Sequence, residues 1–185
     1  DGLYLDVDGN FPNHPADPSD INNLKELKDL VISGDKDFGV AFDGDADRAV
    51  FLDDSGNLIS GSLMTAIVSD WLFEKKKNLK IVHNVNVSPS VVRYLSEKGI
   101  STIRSKVGHS YIKQIMRDED ADFGGEHSAH FYLKENYFAD SGILTLLIFL
   151  QILSEKKIKV SELIDSYKLP PSSGEINFEV DNVNK

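Results

Sequence analysis

Cysteine is absent from the 185-residue chain, and its absence excludes several classes of protein at once. Without a thiol the protein has no disulfide scaffold, no thiolate zinc or iron–sulfur site and no cysteine nucleophile. The lack of cysteine also agrees with a cytoplasmic location, where disulfides are rare.

Long hydrophobic runs are absent as well. The longest apolar stretch, residues 142–153, is interrupted by Thr145 and Gln151. It is well short of the roughly 18–20 residues that span a bilayer, so it predicts a buried helix. The first residues show no charged-then-apolar signal pattern. These features predict that a membrane is not a partner.

Positive charge is in short supply, with 20 Lys and Arg against 30 Asp and Glu and a net charge of −10. Sequence-independent binding of nucleic acid needs a basic surface that displaces counterions, so the composition argues against nucleic acid as a partner. Hydrophobic residues still make up 41% of the chain, which is enough for real apolar cores in one or two domains.

Strand-like and helix-like segments alternate along the chain, which predicts an α/β fold with a mixed, largely parallel sheet flanked by helices, together with a partial second α/β domain. Turn formers fill residues 1–20 and predict coil. Side-chain caps are expected at Asp20, Ser88 and Ser161. Predicted helices cover 20–33, 62–77, 89–99, 109–117, 140–156 and 160–167; predicted strands cover 38–42, 49–53, 80–85, 100–104, 121–124 and 131–133.

Three aspartates, Asp43, Asp45 and Asp47, lie two residues apart between two predicted strands. Carboxylates that converge in one loop repel each other, so this spacing favours a hard divalent cation such as Mg²⁺. Arg48 follows directly and can balance the remaining charge or bind a phosphate. An EF-hand calcium loop fits poorly, because its glycine position holds Arg48 and its final glutamate position holds Asp54. A solvated acidic turn stays open as the simpler alternative.

A second loop, Gly124–His130, also follows a predicted strand and contains Glu126 and Ser128 two residues apart. A carboxylate and a hydroxyl on one side of a loop suit hydrogen bonding to paired sugar hydroxyls. A salt bridge from Glu126 across the loop is the plainer alternative. A zinc site at His127 and His130 is disfavoured, because no third ligand is evident nearby.

A third segment, Lys106–Ser110, lies between a predicted strand and a predicted helix. The backbone N–H groups of a helix N-terminus, together with Lys106 and His109, form a plausible anion site. A histidine at a helix start is more often a cap or a packed ring, and that alternative stays open.

The three segments DGDADR, KVGH and GEHSAH, in this order and spacing, resemble the α-D-phosphohexomutase family and above all its phosphomannomutase/phosphoglucomutase branch. The early segment DGNFPNHP resembles the family's sequence before its metal loop. The resemblance covers nearly the whole chain. It implies the end of domain 2 at 1–57 with the metal-binding loop, domain 3 at 58–169 with the sugar-binding loop, and a linker with the first strand of domain 4 at 170–185.

The resemblance also implies roles for individual residues. In such enzymes a phosphoserine transfers its phosphoryl group to a hexose 1-phosphate, the 1,6-bisphosphate reorients, and the 6-phosphate is released. Asp43, Asp45 and Asp47 would hold Mg²⁺, with Arg48 beside the transferring group. Glu126 and Ser128 would bind the 3- and 4-hydroxyls of the sugar. His109 would lie at the reacting end, and the remaining substrate-binding candidates are His130 and Lys106.

The chain departs from the family pattern at three places. Ala129 stands where the sugar loop usually has glycine, and a left-handed backbone there would cost about 1 kcal/mol. The segment Asn84–Asn86 lacks a lysine that members often carry. No serine loop of the Thr-Ala-Ser-His-Asn-Pro kind is present.

The chain starts without methionine and ends just after a strand-like stretch, so we expect a fragment that is inactive alone and belongs with further domains of a parent enzyme. We also expect exposed apolar surface and self-association. A phosphoglucosamine mutase fragment, a stand-alone Mg²⁺-dependent phosphohydrolase and a non-catalytic sugar-phosphate-binding module remain alternatives.

Overall fold

The computed structural model describes residues 1–170. Residues 1–20 are coil, as the density of proline and other turn formers predicts. A 3-10 helix follows at Ile21–Leu24, and the Asp20 side chain accepts a hydrogen bond from the Asn22 backbone N–H, which confirms the predicted cap. The chain continues into helix α1, Lys25–Ser33.

A small antiparallel sheet forms next, with strands β1 at Gly39–Phe42, β2 at Ala49–Leu52 and β3 at Leu58–Ile59 in the order β1-β2-β3. Phe42 pairs with Ala49, so the acidic loop is the connection of a β-hairpin. Strand β3 has only two residues and lacks a periodic signal, which explains why the sequence pattern missed it.

The larger sheet contains five strands: β4 Lys80–Asn84, β5 Ser101–Ser105, β6 Phe123–Gly125, β7 Phe131–Leu133 and β8 Ala139–Asp140. Its order is β5-β4-β6-β7-β8. Strand β4 runs parallel to β5 and β6, whereas the pairs β6–β7 and β7–β8 are antiparallel. The predicted mixed α/β fold is confirmed. The sheet turns antiparallel where the Gly124–His130 loop folds the chain back on itself.

Five helices accompany this sheet: α2 Gly61–Lys75, α3 Pro89–Glu97, α4 His109–Asp118, α5 Gly142–Lys156 and α6 Val160–Ser166. Their buried faces and the strands form a core that joins the two sheets, since Phe51 of β2 and Phe149 of α5 are fully buried with ring centroids 4.9 Å apart. Side-chain caps that the sequence analysis did not assign come from Ser60 and Ser141.

The predicted cap of the last helix is wrong. Helix α6 begins at Val160 after Lys159, and Ser161 lies inside it. The Ser161 backbone N–H and hydroxyl donate instead to the Asp54 carboxylate, at 2.7 and 3.1 Å. A carboxylate from the turn after β2 therefore accepts hydrogen bonds at the start of this helix, where the first N–H groups have no partner within the helix. This contact spans distant parts of the chain, so neighbouring residues in the sequence do not indicate it. At Ser88 the residue is the N-cap but makes no capping bond with its side chain.

Exposed apolar side chains include a group in the first coil, notably Leu5 and Val7, and a row along α5 at Ile143, Leu147 and Leu150. Within residues 1–170, no helix is long and apolar enough to cross a membrane. The strand predicted around Ile176, Phe178 and Val180 lies outside the described residues.

Candidate active site where two loops meet

The acidic loop, residues 43–48, connects the two strands of the β1–β2 hairpin and carries the three aspartates. One carboxylate oxygen from each of Asp43, Asp45 and Asp47 lies within 4.8 Å of the others. Ala46, at the centre of the loop, has a left-handed backbone with φ of 58°. This bend brings together carboxylates that an extended strand would keep further apart.

Arg48 fixes one of these carboxylates. Its backbone N–H and its Nε donate to the two oxygens of Asp43, at 3.1 and 2.6 Å, and its Nη1 lies 3.2 Å from Asp17 Oδ1. Burial raises the pKa of Asp43, but the hydrogen bonds from Arg48 lower that pKa by more, so it lies below its usual value. Asp43 is therefore held as a carboxylate.

Asp47 has no comparable partner. Its Oδ1 is one of three buried side-chain polar atoms in residues 1–170 that make no hydrogen bond. The His130 ring nitrogen Nε2 lies 3.6 Å from this oxygen, which is too far for a hydrogen bond. Burial, followed by the neighbouring Asp43, raises the pKa of Asp47. An oxygen buried without a donor among clustered carboxylates fits a hard divalent cation.

Glu126, in the second loop, differs from Asp47 in that its carboxylate oxygens have hydrogen-bond donors. It is only 3% exposed, yet both of its oxygens accept hydrogen bonds. Asn84 Nδ2 donates to Oε2 at 2.7 Å and the Tyr132 hydroxyl donates to Oε1 at 2.5 Å. The salt bridge that was the plain alternative for Glu126 is not its main contact, since the imidazole nitrogen Nδ1 of His130 lies 3.9 Å from Oε1, beyond hydrogen-bond distance.

Backbone bonds join the two loops. Arg48 and His130 form an isolated antiparallel bridge, and the Ala49 N–H donates to the Ala129 carbonyl at 3.2 Å. The first residue of α5, Gly142, donates its N–H to the Ala46 carbonyl at 2.9 Å. The acidic loop and the second loop are thus joined by backbone hydrogen bonds rather than being independent surface loops.

A cleft of about 400 Å³ opens where these loops face the start of α4. It brings together five of the site residues predicted from the sequence, namely Asp47, His109, Glu126, Ser128 and His130. Lys106 is exposed and is not among the lining residues; its Nζ lies 5.8 Å from the centre of the Tyr111 ring. Arg48 and Asp43 are also not among the lining residues, and they bind each other.

Two further residues, Lys113 and Asp140, line the cleft but were not predicted as site residues from the sequence. Lys113 Nζ and Asp140 Oδ1 are 2.8 Å apart, and both side chains are largely buried. Lys113 lies one helical turn after His109, so the spacing of four residues on α4 is a signal that could have found it. No spacing in the sequence indicates Asp140, since the pairing of β7 with β8 brings it to the cleft.

The histidines of the second loop do not share a ligand site. His127 Nδ1 pairs with Ser62 Oγ at 2.8 Å, away from His130. His130 Nδ1 instead pairs with Ser128 Oγ at 3.0 Å. His130 also offers an atom within 4.8 Å of atoms of Asp47 and Asp140, a group of three that shares Asp47 with the aspartate cluster.

Ala129 adopts the left-handed conformation that the loop was expected to need, with φ of 69°. Its methyl group is buried, at 4% exposure, and belongs to the main apolar core. The strain of the backbone is therefore offset in part by burial of the side chain.

Comparison with known protein families matches nearly the whole described chain. The family described as phosphoglucomutase/phosphomannomutase, alpha/beta/alpha domain III, matches residues 60–169, and the corresponding domain II matches residues 3–56. The first match alone covers more than half of the chain.

Individual relatives agree. The chain is 39% identical over 173 residues to a phosphomannomutase of Methanocaldococcus jannaschii, covering 94% of this chain and 38% of the relative. It is 37% identical over 180 residues to a phosphomannomutase of Vibrio cholerae, covering 96% and 39%. A crystal structure of a phosphoglucomutase/phosphomannomutase family protein from Burkholderia thailandensis superposes with a TM-score of 0.85 at 31% identity, over 91% of this chain and 36% of that one.

Proposed function

We propose that this chain, which belongs to the phosphoglucomutase/phosphomannomutase family, is part of a phosphohexomutase. That enzyme would interconvert the 1- and 6-phosphates of mannose or glucose. The chain spans about 38% of the length of the relatives that it matches, so the activity is assigned to a larger protein. The observation that carries the proposal is the cleft, in which Asp47, His109, Glu126 and Ser128 converge from three separate segments.

Asp43, Asp45 and Asp47 would hold Mg²⁺ in this proposal, and the unpartnered buried oxygen of Asp47 supports the assignment. A bound Mg²⁺ would supply charge neutralisation for a phosphoryl group. Arg48 keeps Asp43 ionised and oriented through two hydrogen bonds, so its role in this chain is to shape the cation site. A direct contact of Arg48 with phosphate remains part of the proposal and would require its guanidinium to turn from Asp17.

The sugar would bind along the second loop. Glu126 and Ser128 line the cleft with a carboxylate and a hydroxyl, which suit the 3- and 4-hydroxyls of a hexose. His109 lies across the cleft at the start of α4, where the backbone N–H groups of the helix favour an anion. His130 lies between the two loops, and Lys106 is the most peripheral of the proposed substrate ligands.

Two partners and two further properties belong to the same proposal. The hexose phosphate and the remaining domains of a parent enzyme complete the site, because the chain contains no segment like the family's serine loop. A cytoplasmic location stays a prediction. Self-association through the exposed apolar residues of the N-terminal coil and α5 is supported by their accessibility.

A titration of the ¹⁵N-labelled chain with glucose 1-phosphate in the presence of Mg²⁺ tests the proposal. We expect amide shifts concentrated at His109, Glu126 and Ser128, and their reduction in Glu126→Gln. Asp70→Asn, which alters a carboxylate outside the cleft, is the matched control. Shifts confined to other surfaces would contradict the assignment of the cleft.

An activity assay separates the alternatives. The chain alone, with glucose 1-phosphate, Mg²⁺ and glucose 1,6-bisphosphate, is expected to form no glucose 6-phosphate. Formation of glucose 6-phosphate would show that a nucleophile is present in these 185 residues. Release of inorganic phosphate that is lost in Asp43→Asn or Asp45→Asn would identify a phosphohydrolase instead.

A further inference from the structure

The carboxylate of Glu126 lies at the end of the central strand β6, and each neighbouring strand supplies it with one donor. Asn84 is the last residue of β4 on one side, and Tyr132 lies in β7 on the other. Their bonds reach different oxygens, at 2.7 Å to Oε2 and 2.5 Å to Oε1. Asn84 and Tyr132 are 1% and 0% exposed and do not line the cleft.

Both donors are themselves fixed. The Asn84 side-chain oxygen accepts the Asn86 backbone N–H at 3.2 Å, so its amide nitrogen is the atom that faces Glu126. Burial, followed by the hydrogen bond to Glu126, raises the pKa of the Tyr132 hydroxyl, which therefore stays protonated and remains a donor. The ring itself is fully buried in the core, with Lys113 Nζ 5.6 Å from its centre.

Neutral donors leave the charge of Glu126 in place. A carboxylate offers about four lone-pair sites, and the protein uses one on each oxygen. One acceptor site on each oxygen remains for the cleft, which matches a pair of neighbouring hydroxyl donors. A salt bridge to lysine or arginine would have neutralised the group and occupied these sites.

We propose that Tyr132 and Asn84 are positioning residues that hold the Glu126 carboxylate in one orientation, so that the cleft selects hexose phosphates by the arrangement of two adjacent hydroxyls. The inference rests on the proposed function for its substrate class. The orientation of Glu126, by contrast, is a property of the chain itself.

The first arm of the test needs no ligand. Three-bond couplings of labelled Glu126 report its χ1 and χ2 rotamers, and we expect one rotamer in the wild type and averaging in Tyr132→Phe. Tyr94→Phe is the matched control, because it removes a tyrosine bond of 2.6 Å to the Asp70 carboxylate away from the cleft. A single unchanged rotamer of Glu126 in Tyr132→Phe would overturn the inference.

The second arm measures selectivity. Dissociation constants are compared for glucose 1-phosphate, galactose 1-phosphate, which differs only at the 4-hydroxyl, and inorganic phosphate. We expect Tyr132→Phe to reduce the preference for glucose 1-phosphate about tenfold, the effect of losing one hydrogen bond to a charged group, with unchanged affinity for inorganic phosphate. Preference retained in Tyr132→Phe would also overturn the inference.

The two arms keep the inference and the proposed function separate. Failure of the wild type to bind either sugar phosphate would overturn the proposed function, while the couplings would still decide whether Glu126 is held by its neighbours. If Tyr132→Phe loses its amide dispersion and is unfolded, Asn84→Ala removes the other donor instead. The Glu126 couplings and the dissociation constants are then measured on Asn84→Ala.

Discussion

The two loops that meet at the cleft share a construction but treat their carboxylates in opposite ways. Each loop contains an alanine in left-handed conformation, Ala46 in one and Ala129 in the other. The backbone of each loop also packs closely against a backing glycine at the first position of a helix. This glycine is Gly142 for the acidic loop and Gly61 for the second loop.

Their carboxylates differ in what satisfies them. In the second loop, protein donors reach both oxygens of Glu126. In the acidic loop, the buried Oδ1 of Asp47 has no donor among residues 1–170. The difference teaches that the fold itself satisfies the Glu126 carboxylate, whereas the buried Oδ1 of Asp47 is left without a compensating donor in the described part of the chain.

The largest expected effects concern the backing glycines. A Cβ at Gly61 would collide with the carbonyl oxygens of His127 and Glu126, the latter at 2.5 Å, and a Cβ at Gly142 would lie 2.6 Å from the Arg48 carbonyl. We expect Gly61→Ala and Gly142→Ala each to lower the free energy of unfolding by about 3 kcal/mol in urea titrations.

The two glycine variants should differ in ligand binding. Gly142→Ala displaces the acidic loop and should weaken Mg²⁺ binding by calorimetry, whereas Gly61→Ala should leave it unchanged. Gly9→Ala, where an added Cβ meets nothing within 4 Å, is the control for both. Equal losses of Mg²⁺ affinity in both variants would show that the loops are not separable.

The second effect is stabilisation by Mg²⁺. A ligand at ten times its dissociation constant adds about 1.4 kcal/mol to the free energy of unfolding. Thermal melts should show this gain in the wild type and in Glu126→Gln, and lose it when Asp43, Asp45 and Asp47 are all replaced by Asn. An undiminished gain in the triple variant would place the cation elsewhere.

A third carboxylate, Asp54, extends the comparison, since protein donors satisfy it as they satisfy Glu126. Burial raises the pKa of Asp54, but the backbone and hydroxyl of Ser161 lower it by more, so its pKa in the folded state lies below the usual value. The stabilisation is therefore present above the unfolded-state pKa of about 3.9 and is lost as pH falls through the folded-state pKa.

Asp54→Asn tests this dependence on pH. We expect the variant to lose about 1 kcal/mol at pH 7, a figure reduced for partial solvent exposure, and the difference from the wild type to shrink under acid conditions. Urea titrations across this range measure both, and Asp6→Asn, at an exposed position, is the control. A difference that stays constant with pH would contradict the role of the Asp54 charge.

The smallest expected effect comes from the two left-handed alanines. Glycine relieves about 1 kcal/mol of backbone strain at either position but gives the unfolded chain more freedom. Ala129→Gly also loses a buried methyl group worth about 0.8 kcal/mol, whereas Ala46 is only partly buried. Ala46→Gly should therefore be the more stable of the two variants in urea titrations, by less than about 1 kcal/mol. The reverse order would show that the acidic loop is not strained.

Much of the fold was predictable because its signals are local. Alternating apolar residues and turn formers predicted the main strands and helices, and they identified the acidic hairpin loop. The two-residue strands β3 and β8 were missed, because segments this short show no period. The cap assigned to Ser161 was wrong, because the true partner, Asp54, is 107 residues away in the sequence.

In the candidate site, too, features with a local sequence signal were predicted and features that depend on distant residues were missed. The sequence selected the three segments, and the fold brings His109, Glu126, Ser128 and His130 to one cleft. Lys106, selected with them, lies outside its lining. Lys113 and Asp140 were missed, because their pairing depends on α4 packing beside the end of β8.

The sequence by itself determined the α/β class, the family resemblance and most of the predicted site residues that line the cleft, since each is written in short runs of neighbouring residues. Only the tertiary structure decided how each carboxylate is compensated. Glu126 receives donors from β4 and β7, while the buried Oδ1 of the half-buried Asp47 has no donor among residues 1–170. The reason is physical: desolvation and hydrogen-bond satisfaction depend on which strands and helices enclose a group, and those are distant in the chain.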